Sequence, residues 1–186
     1  VSDTGQIVGT GDSDWAIRVT DMRKPAAGVI VHVGEVLKGS PQVGDKALIQ
    51  VDETRRTQIM RNHTATHLLH AALHQVLGDH ARQAGSLVAP DRLRFDFTHP
   101  QPMTKDEILA VEAHVNQAIL AGFQLRIAEK PLNEAIDEGA MALFGEKYES
   151  VVRTIQIGDQ ETLSYELCGG THVDETSDIG LFIITY

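Results

Sequence analysis

The sequence predicts an α+β fold, in which helices and mostly antiparallel strands follow one another in irregular order. Two long segments repeat apolar residues with the period of a helix. Around them lie short apolar stretches that turn residues separate, which is typical of strands. The chain has 186 residues, of which 42% are hydrophobic, so it is long and apolar enough to bury a core. Together these observations place it in the α+β class.

Residues 1–52 are predicted to form a small β-barrel-like module. Short apolar stretches with turn signals between them are typical of a barrel or a meander. They lie at residues 15–19, 28–33 and 47–51. The pair Gly9-x-Gly11 lacks the third glycine and the following helix of a dinucleotide-binding fingerprint, so no nucleotide site is expected there.

Residues 53–186 are predicted to form a second domain, an antiparallel sheet packed by two main helices. The first helix is expected over residues 53–77, with Asp52 or Thr54 as its cap and Gly78 at its end. One face of this helix should pack against the sheet. That face carries Ala65, Leu69, Ala72 and Val76.

The second helix is expected from about Thr104 to Ala121, because residues 104–107 have the spacing of a capping box and Gly122 can end the helix. Residues 93–97 alternate apolar and polar side chains, the pattern of a half-buried strand. Further strands are predicted at residues 86–88, 123–128, 151–157, 162–167 and 180–185, and short helices at residues 132–138 and 141–144.

Composition limits the class of protein. Cys168 is the only cysteine, so no intramolecular disulfide can form and a reducing, cytoplasmic location is expected. No apolar run reaches the roughly 18 residues of a membrane helix, so no membrane partner is expected. The net charge of −10 argues against a uniformly basic nucleic-acid binder. The charge is uneven, however: of residues 1–52, 53–100 and 101–186, only the middle segment is net positive.

Four histidines form a stripe along the first predicted helix. They are His63, His67, His70 and His74. The spacing of His63 and His67 lets two imidazoles from adjacent turns reach one ion. The alternative is a polar, partly solvated helix face, because such spacings also arise by chance.

A second cluster of metal-binding residue types lies about a hundred residues later. Cys168 and His172 are four residues apart, and two glycines between them permit a tight turn. Taken alone, the cysteine can be a small buried hydrophobe and the glycines a simple turn. Together with His63 and His67, however, these residues supply three imidazoles and one thiolate, a full tetrahedral set for Zn²⁺ or a similar divalent metal.

Other interpretations of these residues are weaker. His70 and His74 are left over, and can support the ligands, line a cleft or face solvent. No glutamate lies between His63 and His67, where a zinc protease carries its general base. The His-x-Glu pattern of nucleobase deaminases is missing as well. A cysteine nucleophile with His172 as base would leave the helical histidine pair unexplained.

Five motifs resemble the editing domain of alanyl-tRNA synthetases. In chain order they are RNHTATHLLH at residues 61–70, QAGS at 83–86, LRFDF at 93–97, ALFGEKY at 142–148 and ELCGGTHV at 166–173. Their order and spacing follow the family over nearly the whole chain. Threonyl-tRNA synthetases and free-standing trans-editing proteins share the metal motif, but the residues around Arg61 and the β-rich leader are more similar to the full alanyl enzyme.

The resemblance implies that residues 1–52 are a β-barrel that precedes the editing core, with its first strand missing. It also implies that the chain is an excised fragment, because the ATP-dependent aminoacylation module would precede it and a tRNA-binding module would follow. The implied activity is hydrolysis of the ester that links serine or glycine wrongly to tRNA(Ala). An alternative is a zinc-stabilised module that binds the tRNA acceptor stem without catalysis of its own.

By resemblance, the zinc ligands are His63, His67, Cys168 and His172. Gln83 is a candidate for contact with the substrate, and Thr64, Thr66 and Ser86 are candidates for recognition of its hydroxyl. Three arginines of the net-positive segment are candidates for RNA phosphates: Arg61, Arg82 and Arg94. Four protein ligands would close the zinc shell, whereas hydrolytic zinc keeps one position open, so a catalytic and a structural zinc both remain possible.

Overall fold

The computed structural model of the chain describes residues 2–11, 13–26, 28–142, 148–158 and 162–185. It has an α+β fold, as predicted, and divides into two compact units, Val1–Gln58 and Ile59–Tyr186. The domain boundary predicted after residue 52 stays a prediction. Among the described residues, no helix combines the length and the apolar character needed to cross a membrane.

The first unit contains a four-stranded antiparallel sheet. Its strands are β1 (Gly5–Gly9), β2 (Ala16–Ala26), β3 (Val29–Lys38) and β4 (Ala47–Val51), in the spatial order β3-β2-β1-β4. Three of them contain the predicted apolar stretches, but the sequence did not predict β1, which pairs with both β2 and β4. Closure of this sheet into a barrel stays a prediction.

Helix α1 (Glu53–Leu77) has the predicted bounds. Asp52 caps it, because its Oδ1 accepts a hydrogen bond from the Arg55 N–H at 3.0 Å. At its other end the Gly78 N–H donates to the carbonyl of His74. Helix α2 (Lys105–Ala121) begins with the predicted capping box of Thr104 and Glu107 and ends at Gly122, whose φ of 63° lies in the left-handed region that favours glycine.

The second unit contains two separate antiparallel sheets. One pairs β5 (Gln83–Val88) with β6 (Leu93–Phe97), and the other has the order β7-β8-β9, formed by β7 (Arg126–Pro131), β8 (Val151–Gly158) and β9 (Thr162–Leu167). A short helix, α3 (Leu132–Asp137), follows β7. The core lies between the predicted face of α1, one face of α2 and one face of β8. Its members include Ala65, Leu69, Ala72, Val111, Val115, Ile155 and Ile157.

Two strands begin at residues other than the predicted ones. The strand expected at residues 123–128 begins only at Arg126, because Phe123 and Leu125 exchange backbone hydrogen bonds with Thr176 and Asp174 instead. The start of β5 lies at Gln83, three residues before the predicted start.

The strand predicted at residues 180–185 is wrong. These residues follow a 3₁₀ turn, α4 (Thr176–Ile179), and form no helix or strand. Their backbone is bound by side chains of α2: Asn116 bonds both the N–H and the carbonyl of Phe182, and Glu112 accepts from the N–H of Ile184. The apolar alternation is real, because Phe182 and Ile184 pack on the core. Their backbone groups, however, form hydrogen bonds with side chains of a helix and not with a neighbouring strand.

Half of the helix predicted at residues 141–144 falls outside the described residues. Within the described part, Met141 forms an isolated parallel bridge with Glu166 rather than a helical turn. Most of the motif at residues 142–148 is likewise outside them.

Candidate metal centre

The four predicted metal-binding residues come together in the second unit. The ligand atoms of His63, His67, Cys168 and His172 all lie within 4.8 Å of one another. Cys168 Sγ lies 3.4 Å from His63 Nε2 and 3.4 Å from His172 Nε2. Ligands about 2.0 to 2.3 Å from a tetrahedral zinc ion are separated by roughly 3.5 Å. The spacing therefore fits such an ion.

Helix α1 supplies two of the four candidate ligands. His63 and His67 are one turn apart, and their ring centroids are separated by 5.3 Å. The turn before them is attached to the β5–β6 connection, because Asn62 Nδ2 donates to the carbonyls of Ala89 and Pro90. A regular helix thus presents both imidazoles to the same place.

The loop after β9 supplies the other two candidate ligands. Arg153 on β8 donates through one nitrogen to the carbonyls of Cys168 and Gly170, at 2.9 and 2.6 Å. A Cβ at Gly170 would lie 2.0 Å from His63 Cε1. The residue must therefore be glycine for the loop to approach the helix as closely as it does.

The second ring nitrogen of each histidine has a protein neighbour. His63 Nδ1 donates to the carbonyl of Thr171 at 3.2 Å, and His67 Nδ1 lies 2.9 Å from Glu166 Oε2. His172 Nδ1 lies 3.2 Å from Thr64 Oγ1. Contacts of this kind orient imidazoles toward a metal. They leave the three Nε2 atoms and the sulfur as the donor set.

Electrostatics within the cluster favour a thiolate. Burial opposes ionisation of the Cys168 thiol, but its contacts with His172 and His63 outweigh this effect and lower its pKa to about 3. Burial also lowers the pKa of His172, to about 4. A thiolate and a neutral imidazole are the forms that bind a metal.

His67 differs from His172 because it faces two negative groups. Burial alone would lower the pKa of His67, but its contacts with Cys168 and Glu166 raise it to about 10. A metal ion at this place must displace the Nε2 proton of His67, and proton release of this kind makes metal binding weaker as the pH falls.

The other predicted site residues have contacts of their own. Thr64 is fully buried, and besides its contact with His172 its Oγ1 accepts from the Val173 N–H at 3.2 Å. Thr66 Oγ1 donates to the carbonyl of Asn62. At the start of β5, Gln83 Nε2 donates to Ser86 Oγ at 3.0 Å. The roles of these residues toward a substrate stay predictions.

The three predicted RNA-binding arginines are all exposed. Arg61 lies on α1 and Arg82 precedes β5. Arg94 on β6 forms an ion pair with Asp96 at 3.1 Å. An exposed guanidinium is accessible to phosphate, but exposure alone does not distinguish an RNA contact from a solvated side chain.

Two contributors to the cluster were not predicted from the sequence: Glu166 and Arg153. Glu166 had a detectable signal, because it lies two residues before Cys168 at the end of a predicted strand, and residues two apart share a face. Arg153 had none, since its partners are backbone carbonyls of a loop.

A cavity of about 260 Å³ adjoins Cys168 and is lined by Val151, Arg153 and Gly169, among others.

Part of the second unit matches a known protein family. Residues 152–185 match the family described as threonyl and alanyl tRNA synthetase second additional domain. The matched residues include Cys168 and His172, two members of the cluster.

Several relatives that cover nearly the whole chain are named as alanine–tRNA ligases. The chain is 50% identical over 184 residues to that of Anaeromyxobacter dehalogenans, covering 99% of this chain and 20% of the relative. It is 51% identical over 184 residues to that of Pseudothermotoga lettingae, covering 99% and 21%. It is also 51% identical over 185 residues to that of Xanthomonas euvesicatoria, covering 100% and 20%. The resemblance found in the motifs is confirmed: the chain is homologous to alanine–tRNA ligases and spans about a fifth of their length.

Proposed function

We propose that this chain is an aminoacyl-tRNA deacylase that hydrolyses the ester of mischarged Ser-tRNA(Ala) and Gly-tRNA(Ala). The observation that carries the proposal is the three-histidine, one-cysteine cluster in a chain homologous to alanine–tRNA ligases. Such a ligase has a physical need for editing. A pocket shaped for alanine cannot strongly exclude the smaller glycine, and it rejects an added hydroxyl poorly.

The donor set fits zinc. One thiolate and three imidazoles suit its preference for sulfur and nitrogen ligands, and we assign His63, His67, Cys168 and His172 as the ligands. A bound zinc ion supplies a Lewis-acidic positive charge that polarises an ester carbonyl or activates water. If all four residues bind it at once, the ion is structural and holds the loop to the helix; if one ligand is loose, the ion takes part in the reaction.

The chain's own residues then have distinct roles. Thr64 orients His172 and, through the Val173 N–H, holds the loop against α1. Gln83 is the proposed substrate contact: Ser86 orients its amide, and its amide oxygen is an acceptor for the ammonium or hydroxyl of a seryl group. A site that hydrogen-bonds a hydroxyl leaves polar groups unpaired when alanine enters, which gives discrimination of roughly 10⁴-fold.

The proposed partner is the acceptor end of tRNA(Ala) carrying serine or glycine, and the proposed location is the cytoplasm. Arg61, Arg82 and Arg94 are the proposed phosphate contacts. Because the chain is net acidic, its affinity for RNA should be weak and should fall steeply with salt. Ligation of alanine with ATP is assigned to other parts of the longer ligases and not to these residues.

The test is a deacylation assay on this chain with Ser-tRNA(Ala), Gly-tRNA(Ala) and Ala-tRNA(Ala), with and without zinc. We expect the first two to be hydrolysed and the third to be spared. His67→Gln should abolish hydrolysis, whereas the matched change His74→Gln, outside the cluster, should leave it nearly unchanged. Binding of tRNA without hydrolysis by zinc-loaded protein would instead favour the acceptor-stem-binding module.

Chelation separates the two roles of the metal. If zinc takes part in the reaction, removing it abolishes deacylation while the circular dichroism spectrum is retained. Simultaneous loss of activity and of the spectrum would indicate a structural zinc.

A further inference from the structure

Glu166 places a buried carboxylate directly behind the proposed metal centre. The residue lies on β9 and is 5% exposed. Its Oε2 lies 2.9 Å from His67 Nδ1 and its Oε1 lies 3.2 Å from His70 Nδ1. Ser164 Oγ donates to the same Oε1 at 3.1 Å. Both oxygens are therefore engaged, and three side chains from two elements set the orientation of the carboxylate.

This contact determines which nitrogen of His67 is available. His67 Nδ1 and Glu166 Oε2 lie at 2.9 Å but outside hydrogen-bond geometry. A negatively charged oxygen beside Nδ1 still favours the tautomer of neutral His67 that carries its hydrogen on that nitrogen. The lone pair is then on Nε2, the nitrogen toward the cluster. A carboxylate behind a ligating histidine fixes its tautomer and its ring orientation and makes it a better donor.

The same carboxylate balances the charge of the site. A divalent ion bound by one thiolate and three neutral imidazoles carries a net charge of +1. His67 and His172 are each 5% exposed, and a buried charge without a partner is costly. Glu166 contributes −1 and brings the assembly of ion, ligands and carboxylate to neutrality.

We propose that Glu166 is a positioning residue that fixes His67 toward the metal and supplies the counter-charge of the centre. His70 is not among the proposed ligands, and its role is to hold the second oxygen of Glu166. This inference rests on the metal site proposed above and adds to it a residue that acts through His67 without touching the substrate.

The test compares zinc affinity between the 186-residue chain and its Glu166→Gln variant, by competition with a chromophoric chelator at fixed pH. Glutamine preserves the size of the side chain and removes the charge. We expect zinc to bind about 10- to 100-fold more weakly. The absorption spectrum of the cobalt-loaded variant should also change, because His67 no longer has a fixed orientation. The matched control, Glu134→Gln, removes an exposed charge from α3 and should leave both measurements unchanged.

Further variants separate positioning from packing. Glu166→Asp keeps the charge and should recover part of the affinity lost in the glutamine variant. Ser164→Ala removes one hydrogen bond to the carboxylate and should weaken zinc binding less than twofold. A purely structural role would lower the melting temperature of the metal-free protein without changing zinc affinity.

Three results would overturn the inference. The first is that Glu166→Gln binds zinc as tightly as the unmodified chain. The second is that Glu134→Gln loses as much affinity as Glu166→Gln. The third is that a folded Glu166→Asp binds zinc no better than the glutamine variant. Failure of the unmodified chain itself to bind zinc is a different result, which would overturn the proposed metal site and this inference with it. If Glu166→Gln does not fold without metal, the aspartate variant decides.

Discussion

The two halves of the candidate metal centre are built in different ways. His63 and His67 lie on a 25-residue helix, where local hydrogen bonds determine the backbone and the one-turn spacing sets the distance between the rings. Cys168 and His172 lie on a loop after β9 that belongs to neither a helix nor a strand. Side chains from β8 and α1 hold that loop. The helical half is therefore locally determined, whereas the loop half depends on contacts with distant residues.

The largest expected effect is at the place where the two halves touch. In Gly170→Ala the added Cβ would lie 2.5 Å from His63 Nδ1 and even closer to Cε1, so either His63 or the loop must move. We expect zinc affinity to fall by more than about 100-fold, measured by chelator competition. Gly169→Ala is the matched control, because among the described residues nothing lies within 4 Å of its added Cβ. Equal losses in the two variants would contradict the close approach.

Loss of the loop's anchor on β8 should have the next largest effect. Arg153→Gln removes the donor that bonds the carbonyls of Cys168 and Gly170, at a cost of about 2 kcal/mol, and zinc should bind roughly tenfold more weakly. Urea unfolding and metal titration measure the two effects. The control is Arg92→Gln, which removes an exposed ion pair with the neighbouring Asp91 and should cost less than about 0.5 kcal/mol. Unchanged metal affinity in Arg153→Gln would show that the loop needs no anchor.

The contact between α1 and the loop should contribute less stability than the Arg153 hydrogen bonds do. Thr64→Val preserves the size of the side chain but removes the hydroxyl that contacts His172 Nδ1 and the Val173 N–H, so we expect a loss of about 1.5 kcal/mol by thermal unfolding. Thr66→Val provides the comparison two residues along α1, because its hydroxyl bonds back to its own helix and contributes little. If both variants lose equal stability, Thr64 does not link helix and loop.

The smallest effect should come from a purely local feature away from the site. Thr104→Ala removes the hydroxyl of the α2 capping box and should lower the free energy of unfolding by about 1 kcal/mol with no change in zinc affinity. Hydrogen bonds from the Thr104 backbone and side chain lower the pKa of Glu107 from 4.5. Its contribution is therefore present above pH 4.5 and is lost as the pH falls further. The difference between variant and parent should shrink on acidification, and a difference that grows would contradict this assignment.

The elements of the fold whose bounds were predicted correctly are those that local sequence patterns determine. Helix α1, helix α2 with its capping box, and β9 all have the predicted bounds, because periodicity and caps are local. Residues 180–185 were predicted as a strand because their apolar side chains alternate, and this alternation is correct. Alternation does not show, however, whether the backbone hydrogen bonds are made to a neighbouring strand or to the side chains of a helix. Strand β1 carries few apolar residues and is recognisable mainly through its two partners.

By itself, the sequence predicted which four side chains form the cluster and which face of α1 carries two of them, because residue type and helical spacing are local properties of the chain. Only the tertiary structure decided that Glu166 lies behind His67, that Arg153 holds the loop, and that Gly170 lies against His63. The bond from Arg153 to Cys168 joins residues 15 positions apart, and the bond from His63 to Thr171 spans 108 positions. No local pattern encodes such pairings, because the packing of β8 and β9 against α1 creates them.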